Sequence, residues 1–253
     1  MKGATPGGPK VVLARSADGN RKLSVRLRLL GMRPVPVDTV EFLEPSDWSE
    51  VDRALLDLAR FDWVVLTSAR GAEAFVDRAR RLGIDHAKRF PRVAAVGEMT
   101  AEYLKKKGFE VGFVPSEYLT ATLGEELPRE FGDRVLLLRA ENASPEIIGI
   151  LARRGFTVTS IPIYHTRTVG TRVRGIQADG ADVVLFGSPS EVEGLVRRLP
   201  PAVLRRLRSK AVAACVGPVT AKAAREAGFK HVLSPRVHTF DALLMEVRRS
   251  VVR

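Results

Sequence analysis

Short segments bearing hydroxyl groups or arginines follow the predicted strands of this 253-residue chain. In an open parallel α/β sheet, ligands bind at the carboxyl ends of the strands, where loops enter helices. The N–H groups of a helix start favour an anion by roughly 0.3–1 kcal/mol each, and by up to about 2 kcal/mol when partly buried. Several such starts in one cleft would suit a ligand with many carboxylates. The segments are Arg15-Ser16, Ser68-Ala69-Arg70, Gly97–Thr100, Arg139–Ser144, Ser188-Pro189-Ser190 and Gly217–Thr220.

Each segment also has a purely structural interpretation. Ser188-Pro189-Ser190-Glu191 has the pattern of a capping box, with serine at the cap, proline at the first helical position and glutamate at the third. Gly217-Pro218 likewise starts a helix cleanly. For any single serine or threonine the structural role is the more frequent one. The hypothesis of an anion site therefore depends on the whole set.

Other kinds of site are not indicated. The four histidines (His86, His165, His231 and His238) show no metal-ligand spacing, and no Cys/His/Asp cluster follows a strand. The glycine pattern of dinucleotide-binding folds, the P-loop pattern and the nucleophile elbow of hydrolases do not occur. The sequence thus argues against a dinucleotide enzyme, an NTPase, a metalloenzyme and a serine hydrolase. We expect neither a cofactor nor a metal.

An internal duplication organises the chain. DVVLFGSPSEVEGLV (182–196) resembles DWVVLTSARGAEAFV (62–76), and ACVGPVTAKAAREAGF (214–229) resembles AAVGEMTAEYLKKKGF (94–109). Their offset is 120 residues throughout, as from Ser68 to Ser188. A second repeat, VVLAR (11–15) and VLLLR (135–139), has an offset of 124 residues. The order is therefore A1, B1, A2, B2, and the long period excludes a solenoid of roughly 20–50-residue units.

Strand and helix patterns alternate along these repeats. Residues 11–14 predict a buried strand, followed by a polar turn at 16–20 and a helix to about residue 30 that Gly31 ends. Residues 33–45 predict an edge or connecting strand, because a central strand would not accept their two early prolines. The alternation requires parallel sheets with right-handed crossovers. Further strands are predicted at 63–67, 93–96, 111–114, 135–138 and 156–168, and further helices at 46–60, 68–82, 97–107, 119–127, 144–154 and 239–251, with B2 repeating B1.

The composition is that of an ordinary globular α/β protein, with 45% apolar and 6% aromatic residues, but its formal net charge is +12. This charge predicts a polyanionic partner, although arginine-rich faces with few Asn and Gln are also typical of heat-adapted proteins. The basic clusters at 105–107 and 197–208 have no interleaved aromatic residues, which argues against single-strand binding. With a single cysteine, Cys215, no signal peptide and no run of 18 apolar residues, we expect a cytoplasmic protein that does not enter a membrane.

The motifs in their order resemble uroporphyrinogen-III synthases. They are TSARGAEAF, AAVGEMTAEYL, LLLRAE, SIPIYHT, FGSPSEVEGL and CVGPVTAKAAREAGF, and the resemblance extends from Val11 to about Val247. It implies two flavodoxin-like parallel-sheet domains, one of residues 1–36 plus 168–253 and one of 40–164, joined by extended strands at about 35–43 and 157–168. The repeat alone leaves consecutive domains open as an alternative. The resemblance further implies a monomer without a cofactor, with no nucleic acid as partner.

The reaction implied is the conversion of hydroxymethylbilane, a linear tetrapyrrole with eight carboxylates, into uroporphyrinogen III with inversion of ring D. A transient hand-over from hydroxymethylbilane synthase would supply the substrate. The alternatives are a non-catalytic tetrapyrrole-binding or regulatory module on the same fold, and a basic nucleic-acid-binding protein.

The resemblance also implies roles for individual residues. Tyr164 corresponds to the family tyrosine proposed to help the substrate hydroxyl leave, as a proton or hydrogen-bond donor; the alternative is a linker tyrosine packed against a domain. The chain departs from the family at Ser144-Pro145, where relatives often carry Gly-Arg. This departure puts the carboxylate contact of Arg139 in doubt and favours a replacement such as Arg70. The implied contacts to substrate are Arg15, Ser68, Arg70, Gly97, Thr100, Arg139, Ser188, Ser190, Gly217 and Thr220.

Overall fold

The computed structural model describes residues 8–84, 90–169 and 180–251. His86 and residues 1–7 lie outside these ranges. The strands are β1 (Lys10–Arg15), β2 (Arg33–Asp38), β3 (Val40–Leu43), β4 (Trp63–Leu66), β5 (Arg92–Ala95), β6 (Val111–Phe113), β7 (Arg134–Ala140), β8 (Thr157–Thr168), β9 (Val183–Phe186), β10 (Val212–Cys215) and β11 (His231–Leu233).

Helices follow almost every strand. They are α1 (Ala17–Leu29), α2 (Ser49–Leu56), α3 (Ala69–Arg81), α4 (Glu98–Lys106), α5 (Thr120–Glu126), α6 (Glu146–Arg153), α7 (Pro189–Arg198), α8 (Pro201–Lys210), α9 (Pro218–Glu226) and α10 (Phe240–Val251), with a short 3₁₀ turn at Leu58–Arg60. No helix within the described ranges is long and apolar enough to cross a membrane.

The chain divides into two compact units. Unit 1 comprises Met1–Phe42 and Arg167–Arg253, and unit 2 comprises Leu43–Thr166. One sheet has the strand order β11-β10-β9-β1-β2, and the other has the order β3-β8-β7-β4-β5-β6. The strand pairs of the first sheet are parallel, as are β7–β8, β4–β7, β4–β5 and β5–β6 of the second. The predicted α/β class with parallel sheets is confirmed.

Both faces of the first sheet are buried. Along β9, Val184 and Phe186 pack into one apolar cluster, whereas Val183 and Leu185 pack into another. Successive side chains of a strand point to opposite faces, so helices must cover both. The apolar runs noticed in the sequence are continuous rather than alternating for this reason.

The duplication is reproduced element by element. Four elements of B1 recur in B2 with an offset of 120 residues at both ends. The pairs are β4 and β9, β5 and β10, β6 and β11, and α4 and α9. In the A copies, β1 and β7 begin 124 residues apart, as do β2 and β8. Gly31 and Gly155 end the A helices with φ of +76° and +83°, the left-handed conformation that glycine adopts without strain. The predicted glycine stops are confirmed.

Three local predictions were wrong in detail. Residues 17–20 belong to α1, because Ser16 caps that helix by accepting the Gly19 N–H at 3.3 Å. The helix predicted to reach residue 60 ends at Leu56 and continues only as the 3₁₀ turn. The second A helix starts at Glu146, directly after Pro145, which has no N–H to donate and suits the very start of a helix.

The residues predicted as linker strands lie in β2, β3 and β8, with the proline-bearing β2 at a sheet edge, as predicted.

Candidate functional site

The Tyr164 hydroxyl is held at the start of α3. It lies 3.0 Å from Ser68 Oγ, and the Ser68 oxygen also accepts the Gly71 N–H at 3.0 Å. Ser68 is the N-cap of α3, with φ −159° and ψ 153°. The Tyr164 side chain is almost entirely buried, with 8% of the residue exposed. Helix α3 and strand β8 therefore meet at a hydrogen-bonded pair of hydroxyl groups.

Two local features place Tyr164 there. The pairing of β8 with β7 shifts between Arg139↔Pro162 and Ala140↔Tyr164, so β8 carries one extra residue at this point. A bulge of this kind re-aims the side chain that follows it. On the helix side, a β-carbon at Gly71 would lie 3.1 Å from Ser68 Oγ and 3.7 Å from Tyr164 Cε1. Glycine keeps the space beside the hydroxyl pair open.

Tyr164 is neutral at physiological pH. Burial raises the pKa of its phenol, and the Ser68 hydrogen bond and the positive charge of Arg70 oppose this rise. A neutral phenol is a hydrogen-bond donor, and a nearby cation stabilises the phenolate that remains when its proton is given away. The surroundings of Tyr164 are thus suited to a general acid.

A small pocket beside Tyr164 is lined by charged groups of unit 2. Arg70, Arg78, Arg81, Glu44 and Asp77 contribute to its wall. Arg70 Nη1 lies 3.1 Å from the Glu73 carboxylate, and Arg78 forms a two-pronged ion pair with Asp52 while stacking over the Trp48 ring. Arg70 therefore lines the same pocket as Tyr164. It is the arginine that the sequence suggested as a replacement for Arg139.

The two second helices of the B copies start alike. Gly97 and Gly217 are the N-caps of α4 and α9, both extended and both without a side-chain cap. Thr100 and Thr220, at the third helical position, are 5% and 4% exposed. Backbone N–H groups at each start are left for a ligand or water, which is the arrangement that favours an anion.

Arg15 and Ser188 of unit 1 both contact Glu191, whose side chain is buried. Ser188 caps α7 by accepting the Glu191 N–H at 3.3 Å. Arg15 Nε lies 3.2 Å from Glu191 Oε1 and stacks over the Phe240 ring. Burial raises the pKa of Glu191, opposed by Arg15 and by the Gly187 and Ser188 N–H groups. The capping-box interpretation of this segment is correct, and Ser190, inside the segment, is partly exposed.

Arg139 is engaged by its own loop. Its Nε donates to Ser160 Oγ at 3.1 Å, and its Nη1 donates to the Ala143 carbonyl at 2.5 Å and to the Ser144 carbonyl at 3.3 Å. These bonds hold the turn that precedes α6, where Pro145 delays the helix. The departure from the family pattern at Ser144-Pro145 accordingly coincides with a structural use of the arginine.

A family model described as uroporphyrinogen-III synthase HemD matches residues 21–245. The chain belongs to the uroporphyrinogen-III synthase family. It is 25% identical to the "Uroporphyrinogen-III synthase" of Synechococcus elongatus, over 96% of this chain and 95% of that protein. It is also 25% identical to the "Porphyrin biosynthesis protein HemD" of Ruminiclostridium josui. That alignment includes 94% of this chain but only 47% of the relative's length.

The fold is that of the same family. A crystal structure of uroporphyrinogen III synthase from Thermus thermophilus superimposes with a TM-score of 0.66 and 21% sequence identity. The superposition includes 96% of this chain and 98% of the Thermus chain. The predicted family resemblance is confirmed. The individual site residues remain predictions, because these comparisons concern the chain as a whole.

Sequence analysis missed two aromatic residues beside the starts of α4 and α9. A β-carbon at Gly97 would lie 3.5 Å from the Tyr118 ring, and one at Gly217 would lie 3.6 Å from the His238 ring. The two rings are 120 residues apart, so each copy places an aromatic residue over the glycine that starts its second helix. The offset of 120 residues relates Tyr118 to His238. The comparison of the repeats considered matching residues and so passed over this pair. His238 appeared in the sequence only as a histidine without ligand spacing.

No group of three or more His, Cys, Asp or Glu residues that could hold a metal occurs in the described parts of the chain. Cys215 is fully buried in β10, and burial raises the pKa of its thiol to about 12. It is therefore a core residue rather than a nucleophile.

Proposed function

We propose that this member of the family cyclises hydroxymethylbilane to uroporphyrinogen III, with Tyr164 as the proton donor. The observation that carries the proposal is the buried, neutral Tyr164 phenol next to Arg70. Such a phenol can give a proton to a departing hydroxyl group and be stabilised as its anion afterwards.

The chemistry needs little conventional machinery. The C–O bond of the ring-A hydroxymethyl group breaks, the phenol proton goes to the departing oxygen, and water leaves. The resulting azafulvene is attacked by the substituted carbon of ring D, and fragmentation and reclosure of the spiro intermediate leave that ring inverted. The phenolate recovers a proton as the final macrocycle loses one. The protein contributes geometry and charge stabilisation.

Recognition of the eight carboxylates is assigned to the uncapped helix starts and the basic side chains. The Gly97 and Gly217 starts offer N–H groups, and Thr100 and Thr220 lie one turn inside them. Arg70, Ser188 and Ser190, at the first helix of each B copy, would supplement these contacts. Arg15, which bonds to Glu191 of α7, would do the same. Arg139 contributes least, because its guanidinium serves its own loop.

We further propose that the protein acts as a monomer in the cytoplasm and takes its substrate from hydroxymethylbilane synthase in a transient hand-over. The reaction requires no cofactor, since no step changes an oxidation state. A tetrapyrrole-binding module without activity is disfavoured by the family membership.

The test is the product isomer. The protein is added to hydroxymethylbilane synthase and porphobilinogen, the products are oxidised, and isomers I and III are separated. Hydroxymethylbilane closes by itself to the symmetric isomer I. We expect isomer III to dominate in the presence of the protein, and an unchanged excess of isomer I would refute the proposal.

A further inference from the structure

We propose that Ser68 is a positioning residue that directs the Tyr164 proton, and that Gly71 leaves the space in which this hydroxyl pair forms. The inference deepens the proposed function and rests on it. It assigns to Ser68 a role other than the substrate contact expected from the family resemblance.

The donor in the Ser68–Tyr164 bond sets the direction of the proton, and the inference assigns that role to Ser68. Ser68 Oγ accepts the Gly71 N–H at 3.0 Å, and this bond leaves the serine's own hydrogen to donate to the Tyr164 oxygen 3.0 Å away. The Tyr164 oxygen is then the acceptor of this bond, so Ser68 does not take up the phenol proton. When the proton leaves, the Ser68 O–H still donates to the phenolate, and the first N–H groups of α3 stabilise the negative charge from behind.

The second copy shows that this arrangement is specific to unit 2. Ser188 caps α7 as Ser68 caps α3. The position of Gly71, however, is taken 120 residues later by Glu191, whose buried carboxylate pairs with Arg15. At the offset of the A copies, Tyr164 corresponds to Val40. The serine cap is thus common to both copies, whereas the tyrosine and the glycine that admits it occur in one. The acid of the reaction belongs to unit 2 alone.

The experiment uses three Ser68 variants of the full chain. Ser68→Gly removes the hydroxyl, and glycine remains acceptable at an N-cap; Ser68→Ala removes the same group and serves as the second variant if the first does not fold. Ser68→Thr keeps a hydroxyl and the cap, and is the conservative rescue. Ser188→Gly is the matched control for the tyrosinate titration alone, because it removes the equivalent cap of α7, the helix start of the other copy.

The first readout needs no substrate. The tyrosinate absorbance of each variant is titrated, and the spectrum of the same variant with Tyr164→Phe is subtracted to isolate Tyr164 from Tyr103 and Tyr118. Loss of the Ser68 donor raises the Tyr164 pKa, because this bond favours the phenolate. Ser68→Thr and Ser188→Gly leave it unchanged. The charged neighbours Arg70, Arg78, Arg81, Glu44 and Asp77, which line the same pocket, are identical in all these proteins.

The second readout is the split between kcat and KM in the coupled assay. We expect Ser68→Gly and Ser68→Ala to lower kcat about tenfold or more with little change in KM, and Ser68→Thr to restore it. An unshifted Tyr164 pKa in both hydroxyl-less variants would overturn the inference, as would a normal kcat or a change confined to KM. Failure of the wild type to make isomer III would instead refute the proposed function, while the pKa titration would still report on the Ser68–Tyr164 bond.

Discussion

Gly71 and Glu191 occupy the same helical position in the two copies, the third residue of α3 and of α7, and only the glycine leaves room for a tyrosine. At Gly71 an added β-carbon would lie 3.1 Å from Ser68 Oγ and 3.7 Å from the Tyr164 ring. At Glu191 the side chain is buried and bonded to Arg15. Equivalent helix starts in the two copies thus hold different groups, a tyrosine hydroxyl at α3 and an ion pair at α7.

Gly71→Ala is expected to separate stability from activity. Alanine is the better helix former by about 1 kcal/mol, whereas disturbing the Ser68 cap costs roughly 0.5–2 kcal/mol, so the melting temperature should change little. Turnover should fall about tenfold or more, because the β-carbon displaces the hydroxyl pair and small misplacements of a catalytic group are costly. Thermal unfolding and coupled turnover are measured on the same preparation. Gly149→Ala is the control, since that glycine lies in a helix with only the far end of Arg153 nearby; equal activity of both variants would contradict the account.

Thr100 and Thr220 are expected to act in binding rather than in chemistry. Replacing both by valine keeps their shape and removes two donors at the starts of α4 and α9. At about 1 kcal/mol for each hydrogen bond, the dissociation constant of the product should rise about 30-fold. Fluorescence titration with uroporphyrinogen III under reducing conditions measures it, and the single variants should each show part of the effect. An unchanged affinity of the double variant would exclude these threonines from the binding site.

Arg139 is expected to stabilise the chain more than it binds substrate. Arg139→Gln removes the bonds to Ser160 and to the Ala143 and Ser144 carbonyls. Hydrogen bonds to a charged group contribute about 1.5–3 kcal/mol, so the free energy of unfolding in urea should fall by an amount of this order. The KM should change by less than about twofold. Arg60→Gln, at an exposed pair with Asp57, is the control; a large KM effect without a loss of stability would favour a substrate contact for Arg139.

The Asp52–Arg78 pair beside the pocket predicts an acid-sensitive contribution to stability. The hydrogen bonds from Arg78 hold the pKa of Asp52 below its ordinary value of 3.8. A carboxyl whose pKa is lowered by folding stabilises the folded state above its unfolded-state pKa, and this contribution is lost as the pH falls through the folded-state value. The stability advantage of the wild type over Asp52→Asn should therefore be complete near neutrality and disappear in acid.

Urea unfolding at a series of pH values measures this difference. Asp57→Asn is the matched control, because Asp57 and Arg60 form an exposed pair with a separation of 3.7 Å, and such pairs contribute little. An Asp52→Asn difference that does not vary with pH would show that the pair acts through packing alone.

Much of the fold could be predicted because the duplication repeats both the apolar runs and the glycine stops. The Ser188 cap was equally visible as a capping box, and the structure shows the same cap at Ser68, 120 residues earlier. The beginning of α1 was misread because Asp18, Gly19 and Asn20 have turn-like propensities, which the Ser16 cap overcomes.

The key contacts of the site could not be read in the same way. Ser68 and Tyr164 lie 96 residues apart, and their meeting depends on a one-residue shift between β7 and β8 that no local pattern announces. The partner of Arg15 is 176 residues away. The sequence offered Glu191 only as part of a capping box, so its ion pair with Arg15 was not foreseen.

Tyr164→Phe tests the account most directly, because it removes one oxygen from a buried ring and little else. General acid catalysis contributes about 10²–10⁴-fold, so single-turnover formation of isomer III from freshly made hydroxymethylbilane should slow by at least about 100-fold. The product affinity and the urea midpoint should stay close to those of the wild type, which shows that the site still forms. Formation of isomer III at the wild-type rate by a folded Tyr164→Phe protein would contradict the account.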